Sequence, residues 1–258
     1  MAVTIKTKEE IDVLHEGGRR LAFILQEVAL AVKAGVSTSE LNDLAQKLVE
    51  DGGDKSAFLN YQPKGMKRPF PASICISIND AVVHGIPNEN PQILKEGDIV
   101  SLDMGLIHKG LFTDAAITVP VGVVDEAGLN LIAVTKQALM EGIKVAKEGK
   151  YVRDISYAIE RFVRPKHLGI VEELCGHGVG YKVHEDPFIP NFCLEEKGEK
   201  LKAGMVLALE PMINEGNKHI VLDADGYTYR TKDGSRSAHF EHTIVITKSG
   251  AEILTQLD

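Results

Sequence analysis

Four acidic residues sit where acids are usually avoided. Asp103 closes Ile99-Val-Ser-Leu-Asp103, Asp114 lies within Phe112-Thr-Asp114-Ala-Ala-Ile-Thr-Val119, Glu210 ends Met205-Val-Leu-Ala-Leu-Glu210, and Glu241 opens Glu241-His-Thr-Ile-Val-Ile246. An acid in an apolar strand is rare unless it is paired, protonated or bound to a cation. Taken singly, each could be a solvated edge-strand acid. Together, four carboxylates would be neutralised by two divalent cations held about 3.5–4 Å apart. Histidine would add nitrogen donors: Cys175-Gly-His177-Gly-Val-Gly-Tyr-Lys-Val-His184 carries two, and His84-Gly-Ile-Pro87 a third. A lone loop histidine is more often a surface residue, so these count only if the fold gathers them.

Other chemistries fit less well. Gly176-His-Gly-Val-Gly180 is followed by no helical periodicity, which removes the dinucleotide-loop and P-loop readings. No HExxH occurs. Cys175 lies close to His177 in sequence, but that spacing sets up no base for a thiol nucleophile, and a buried structural cysteine is the plainer reading.

The acids recur in pairs. Leu94-Lys-Glu-Gly-Asp-Ile-Val-Ser-Leu-Asp103 matches Leu201-Lys-Ala-Gly-Met-Val-Leu-Ala-Leu-Glu210, and Phe112 to Val119 aligns with His239 to Ile246, placing Asp114 over Glu241. Lys33-Ala-Gly35 likewise matches Lys147-Glu-Gly149, and the helical patterns that follow align as well. Such self-similarity points to a duplicated unit of two helices and an antiparallel sheet, with both copies converging on one site. The expected arrangement is α+β in a single domain over 1–258, with halves at roughly 1–124 and 125–258.

The elements that must position these residues follow from periodicity. A helix is expected from Glu9 to about Ala34, weakened at Gly17-Gly18, and a second from the capping box Ser37-Thr-Ser-Glu40 to about Asp51. Residues 51–71 read as a long loop. Strands are expected over Ser73 to Ile78, Asp98 to Met104 and about Phe112 to Val121, with a turn at His108-Lys-Gly110. If that turn is centred between His108 and Lys109, Asp103 and Asp114 oppose each other directly, about 4.5–5.5 Å apart at Cβ. Helices over Asp125 to Glu148 and Val152 to Phe162 come next, then the histidine loop, the strand ending at Glu210, irregular β pieces to Thr231, and a closing strand from Ala238 to Thr247.

Composition sets the outer limits. The chain has 258 residues, 44 % hydrophobic and 26 % charged, enough for a sizeable core. A formal charge of −8 argues against broad contact with nucleic acid or anionic lipid. The N-terminus lacks a signal-peptide apolar core, no run approaches the ~20 apolar residues that span a bilayer, and three cysteines form no framework, so a cytoplasmic protein is expected.

With Asp103, Asp114, His177, Glu210 and Glu241 in the order Asp, Asp, His, Glu, Glu, the chain resembles the pita-bread metallopeptidases. His84-Gly-Ile-Pro, Cys-Gly-His-Gly-Val-Gly, Leu-Glu-Pro-Met and Phe-Glu-His-Thr are similar to the type I methionine aminopeptidases, over nearly the whole chain. The short spacing from His184 to Glu210 also resembles type I.

The resemblance implies a pita-bread fold around a dinuclear site and a metal-dependent release of N-terminal methionine from nascent proteins and peptides. Asp114 and Glu241 would bridge two divalent ions (Co, Mn, Fe or Zn), Asp103 would hold one, and His177 and Glu210 the other. A shared water would be the nucleophile, Glu210 the proton carrier, His184 the donor to the developing oxyanion, and His84 would bind the substrate's amide nitrogen or assist its protonation. Cys75, with Tyr227 and Phe70 or Tyr61, would line the methionine slot, and Asn79, Ala81 and Ser237 would hold a sodium or potassium ion. A monomer is expected, with no membrane partner. The basic cluster Lys64, Lys67 and Arg68 is either a solvated loop or a contact with ribosomal RNA. The same ligands also serve proline-specific peptidases of this fold, and a non-catalytic binding protein is the alternative of another class; all five ligands being present disfavours the latter.

Overall fold

The computed structural model describes residues 3–257. Helix α1 (Lys8–Ala31) starts at a capping box in which Thr7 Oγ1 accepts the Glu10 amide and the Glu10 carboxylate accepts the Thr7 amide. It runs unbroken through Gly17 and Gly18 because both are places of close approach: a Cβ on Gly18 would lie 2.2 Å from the Leu254 carbonyl oxygen, and one on Gly17 2.9 Å from His108 Cβ. The helix ends before the expected Ala34, and the chain turns through Gly35 at φ +91°. Helix α2 (Thr38–Asp51) carries the Ser37/Glu40 capping box. The expected loop over 51–71 holds one short strand, β1 (Lys55–Ser56).

Strands β2 (Cys75–Ile78) and β3 (Ala81–Val83) precede a long hairpin of β4 (Ile99–His108) and β5 (Leu111–Pro120). Its loop is Lys109-Gly110, with φ of 48° and 85°, the pair of positive values that a two-residue type I′ turn needs. The turn therefore centres one residue later than expected. Helices α3 (Glu126–Val145) and α4 (Val152–Val163) form the second pair. The remaining strands are β6 (Gly169–Ile170), β7 (Cys175–Gly178), β8 (Glu185–Pro190), β9 (Val206–Leu209), β10 (Met212–Asn214), β11 (Ile220–Leu222), β12 (Tyr229–Thr231), β13 (Ser237–His239), β14 (Glu241–Ile246) and β15 (Ala251–Ile253).

The principal sheet runs β1-β4-β5-β14-β9-β7-β8, with β2 beside β4 and β15 beside β14. Two further sheets, β13-β10-β6 and β11-β12-β3, have three strands each. One face of the principal sheet is apolar. Val100, Leu102, Met104, Leu106 and Ala115 pack under α1 and α2, while Leu207, Leu209, Ile244 and Ile246 pack under α3 and α4. Since side chains alternate along a strand, Asp103, Asp114 and Glu241 must point to the opposite face. The helices thereby fix which way the acids face.

Two expected strands change sheet midway. The run ending at Glu210 breaks at Glu210-Pro211, where proline has no amide to donate to a ladder, and the closing strand breaks at Phe240, so that β13 pairs with β10 whereas β14 pairs with β5 and β9. Phe240 N–H donates to Pro211 O at 3.4 Å, which lays the two breaks side by side. Glu210, His239 and Glu241 are gathered there.

Candidate metal centre

The strand registers place the five expected ligands in two adjacent rows on one face. Asp103 pairs with Ala116, and Ala116 with Glu241; continuing the β14–β9 register one step past Leu209 brings Glu210 opposite Glu241. Two residues along, Gly105 pairs with Asp114 and Thr243 with Ala208, which pairs with His177. Asp114 N–H donates to Thr243 Oγ1 at 2.9 Å and that hydroxyl donates back to Asp114 O at 2.7 Å, locking the two halves of this second row together. Asp103 and Asp114 are thus diagonal neighbours, a correction to the direct opposition expected, and the one-residue shift of the turn is its cause.

Small residues separate the acids, which leaves a cavity between them. Ala116, 1 % exposed, stands between Asp103 and Glu241. Ala116→Val would push methyls into that gap, and overpacking of this kind costs about 1–3 kcal/mol. The expected result is a Tm lower by roughly 2–10 °C together with poor Co²⁺ uptake; undiminished Co²⁺ binding by calorimetry would contradict the two-row geometry.

The charges in this cavity are unbalanced. Burial, then Asp114, raises the Asp103 carboxyl well above its ordinary range, and burial pushes Asp114 up to about 7. Glu210 is raised well above its usual range by burial and then by Asp103 and Asp114, as is Glu241 by burial and its three acidic neighbours. The histidines bring no compensating charge: burial lowers His177 and His239 to about 3, His84 to about 4, and His184 in the same direction. No Lys or Arg lines the cavity among the described residues. Asp103 Oδ1, Asp114 Oδ1 and Glu241 Oε1 are buried without a hydrogen-bond partner. His177 Nδ1 faces Gly178 O at 2.9 Å and so carries the proton, leaving a lone pair on Nε2, which faces Glu210 Oε1 at 3.4 Å. Two acceptors that close call for a cation between them.

The donor set fits a divalent metal. Ligand atoms of Asp114, His177 and Glu241 lie within 4.8 Å of one another. Glu210 joins through His177, and Asp103 flanks the group in the first row.

The glycines beside His177 have a packing reason. A Cβ on Gly176 would lie 2.4 Å from Ala208 O, and one on Gly178 2.3 Å from Asp186 O, so only glycine lets β7 press between its neighbours. His84 sits at φ 58°, a left-handed conformation uncommon for a residue with a side chain, and its ring stacks edge-on against Tyr229 with centroids 6.0 Å apart.

His184 lies between two rings. Its centroid is 4.5 Å from that of His177 and 5.7 Å from that of Tyr61, whose hydroxyl is 3.1 Å from His184 Nδ1. The loop that bears it folds onto Glu185, whose carboxylate accepts the Tyr181 and Lys182 amides, Thr4 Oγ1 at 2.6 Å and the buried Lys6 Nζ at 2.7 Å. Neither Lys6 nor Glu185 stood out in sequence, since only the fold brings the N-terminal arm beneath this loop.

The cavity, about 290 Å³, opens from the acids onto an apolar wall. Cys75, opposite Asp103 at the end of the first row, meets Phe58, Phe70 and Tyr227 there. Phe70 and Tyr227 pack edge-to-face at 5.2 Å, and the Tyr227 hydroxyl donates to Arg68 O at 2.5 Å. Phe58 and Met66 join Tyr61 in this lining, and sequence reading missed both because they belong to the loop without periodicity. Cys175 is held up to about 11 by burial and then Glu210, which excludes a thiolate near neutral pH. Asn79 and Ser237 do meet, Ser237 N–H donating to Asn79 O at 2.8 Å, while Ala81 lies on β3. Lys64 and Lys67 are exposed, but Arg68 pairs with Glu89 and stacks over Tyr227.

A sheet face bearing Asp, Asp, His, Glu and Glu around an uncompensated cavity defines a metal-dependent hydrolase site, and the chain belongs to metallopeptidase family M24, whose model matches residues 12–248. Within that family the similarity is to methionine aminopeptidases. The chain is 44 % identical to the methionine aminopeptidase of Aquifex aeolicus, with all of both chains covered, and 40 % identical to methionine aminopeptidase 1 of Bacillus subtilis, covering 99 % of this chain and 100 % of the other. The methionine aminopeptidase of Thermotoga maritima superposes with a TM-score of 0.93 at 40 % identity, over 99 % of this chain and 100 % of the other. The prolidase of Pyrococcus furiosus superposes at 0.75 with 21 % identity, the chain covering 66 % of it, a likeness of fold alone. The architecture is the α+β pita-bread fold. No helix among the described residues is long and apolar enough to cross a membrane.

Proposed function

We propose that this chain is an aminopeptidase that removes the N-terminal methionine from peptides and nascent proteins, with two divalent metals held by Asp103, Asp114, His177, Glu210 and Glu241. The observation that carries this reading is the pair of rows described above: five ligand-type side chains on one sheet face, uncompensated in charge, beside an apolar slot. Asp114 and Glu241, central in the rows, would be shared between the metals, with Asp103 serving one and His177 and Glu210 the other. Carboxylate oxygens with one imidazole suit Mn, Fe, Co or Zn. Bound there, a divalent ion supplies the acidity that brings a water's pKa from about 15.7 towards ~7.

The chain's own groups do the rest. Glu210 takes the proton of the attacking water and delivers it to the leaving nitrogen. His184, kept neutral by burial, directs an N–H at the carbonyl oxygen of the scissile bond; with Tyr61 on Nδ1, the free nitrogen is Nε2. His84 binds the amide following the cleaved bond. The substrate's free amine would lie near Asp103, which confines cleavage to the first residue, and the methionine side chain would lie against Cys75, Phe70 and Tyr227, with Tyr61 at the mouth. If the basic loop contacts ribosomal RNA rather than standing as a solvated loop, Lys64 and Lys67 would carry that contact, because Arg68 is engaged within the fold.

The test is hydrolysis of a Met-Ala-headed peptide beside one with an Xaa-Pro end. Methionine release that stops with chelator and returns with Co²⁺ or Mn²⁺ is expected. Cleavage of the proline peptide without the methionine one would sink the assignment.

A further inference from the structure

Beyond the five ligands and the two substrate-facing histidines, His84 and His184, one more imidazole reaches the metal centre. His239, the last residue of β13, is 1 % exposed. Its main chain is pinned, N–H donating to Thr118 Oγ1 at 2.9 Å and the carbonyl accepting from the same hydroxyl at 2.8 Å. Its ring is not: neither Nδ1 nor Nε2 has a hydrogen-bond partner. Nε2 points into the acids, 3.8 Å from Glu210 Oε2 and 4.0 Å from Glu241 Oε2. A buried polar group with no partner calls for an explanation.

Glu210 lies between two imidazoles, one facing each oxygen. His177 Nε2 faces Oε1, but its proton sits on Nδ1 against Gly178 O, so Nε2 offers a lone pair and the ring acts as a ligand. His239 has no such anchor on Nδ1. Its ring is free to carry a proton on Nε2, directed at Oε2. A carboxylate shift of about 1 Å closes 3.8 Å to hydrogen-bond length.

Resting on the reading that Glu210 and His177 hold a metal, we infer that His239 is a positioning residue: its Nε2–H fixes Glu210 through Oε2, so that Oε1 is presented beside His177. Hydrogen bonds of this kind to ligating carboxylates orient the ligand and typically account for 10–100-fold in metal affinity.

The test titrates metal-stripped protein with Co²⁺, read by calorimetry and by visible absorption, for the wild type, His239→Gln and His239→Leu. Glutamine keeps an N–H donor and is expected to bind close to wild type. Leucine keeps bulk without a donor, and is expected to weaken the Glu210/His177 site about 10–100-fold while the metal-free Tm stays level or rises, since an unmatched imidazole is removed. His239→Ala makes the same comparison should the leucine chain fail to fold. Wild-type affinity in the leucine or alanine chain, or equal weakening in the glutamine chain, overturns the inference. A wild-type chain that takes up no Co²⁺ overturns the metal reading itself, a result that the variants alone cannot give.

Discussion

Glu210→Gln is expected to leave the chain folded and to lower kcat on a Met-Ala peptide by about 10²–10⁴, the usual contribution of a positioned proton carrier. The fold should survive because the main chain at this position is held independently of the carboxylate: Asn191 Nδ2 donates to Glu210 O at 3.0 Å, and the preceding strand β9 is paired on both sides. The carboxylate itself is buried beside Asp103 and Asp114, which push its pKa well up. Replacing it by an amide of the same shape removes repulsion from the metal-free chain, so the metal-free Tm should hold or rise. Activity falls because an amide cannot take a proton and deliver it, and because it is a poorer partner for the cation shared with His177. Turnover at saturating Co²⁺ and the Tm measured in chelator separate these effects. Full activity in this variant would remove Glu210 from the mechanism.

The second large effect is on stability as a function of pH, and it has the opposite sign from that of ordinary salt-bridged carboxylates. Asp103, Asp114, Glu210 and Glu241 all have folded-state pKa values raised above the unfolded ones, with Asp114 at about 7. The folded chain therefore holds protons that the unfolded chain has lost, and stability falls as pH rises through the folded values. The buried histidines oppose this trend at lower pH. With His84 at about 4 and His177 and His239 at about 3, the unfolded chain binds more protons on these side chains until roughly pH 6.5, above which imidazole is neutral in both states. From about pH 6.5 to 8.5 the carboxylates act without that offset. Each proton still held costs about 1.4 kcal/mol per pH unit, so one proton held over two units lowers the Tm of a chain this size by about 5–10 °C. Metal-free protein is expected to lose stability across that window, while Co²⁺-loaded protein should not, because the cation takes the place of the protons. Scanning calorimetry with and without chelator checks this; a metal-free Tm that stays level or rises would contradict it.

The same side chains show how far the sequence could be read. The five candidate ligands stood out because each is an acid or a histidine in a context that explains it poorly, and the repeat linked Asp103 with Glu210 and Asp114 with Glu241. In the sheet order β4-β5-β14-β9, Asp114 and Glu241 lie on the central β5–β14 pair, while Asp103 lies on the flanking β4 and Glu210 follows the flanking β9. The helix start at Ser37 was legible from its capping box, which acts within one turn, and the helix from Asp125 from its apolar period. The turn was centred one residue early, which put the Asp103–Asp114 register two residues out, because turn centring depends on whether Lys109 as well as Gly110 takes a positive φ, and the two loops differ little in sequence. The wall from Phe58 to Phe70 has no period to read, since its residues are placed by the cavity they line.

His239 and Lys6 mark the limit more sharply. In sequence His239 is one polar residue in a closing strand, and only the break at Phe240, set against the break at Pro211, aims its ring at Glu210. Lys6 is one of many lysines until the arm passes under Gly180 and meets Glu185. Local chemistry therefore determined what kind of site this chain offers: which residues are candidate ligands and which alternate towards the helices. Tertiary structure decided which side chains share that site, because strand register and sheet switching are set by contacts between segments far apart in the chain, and no single segment carries that information.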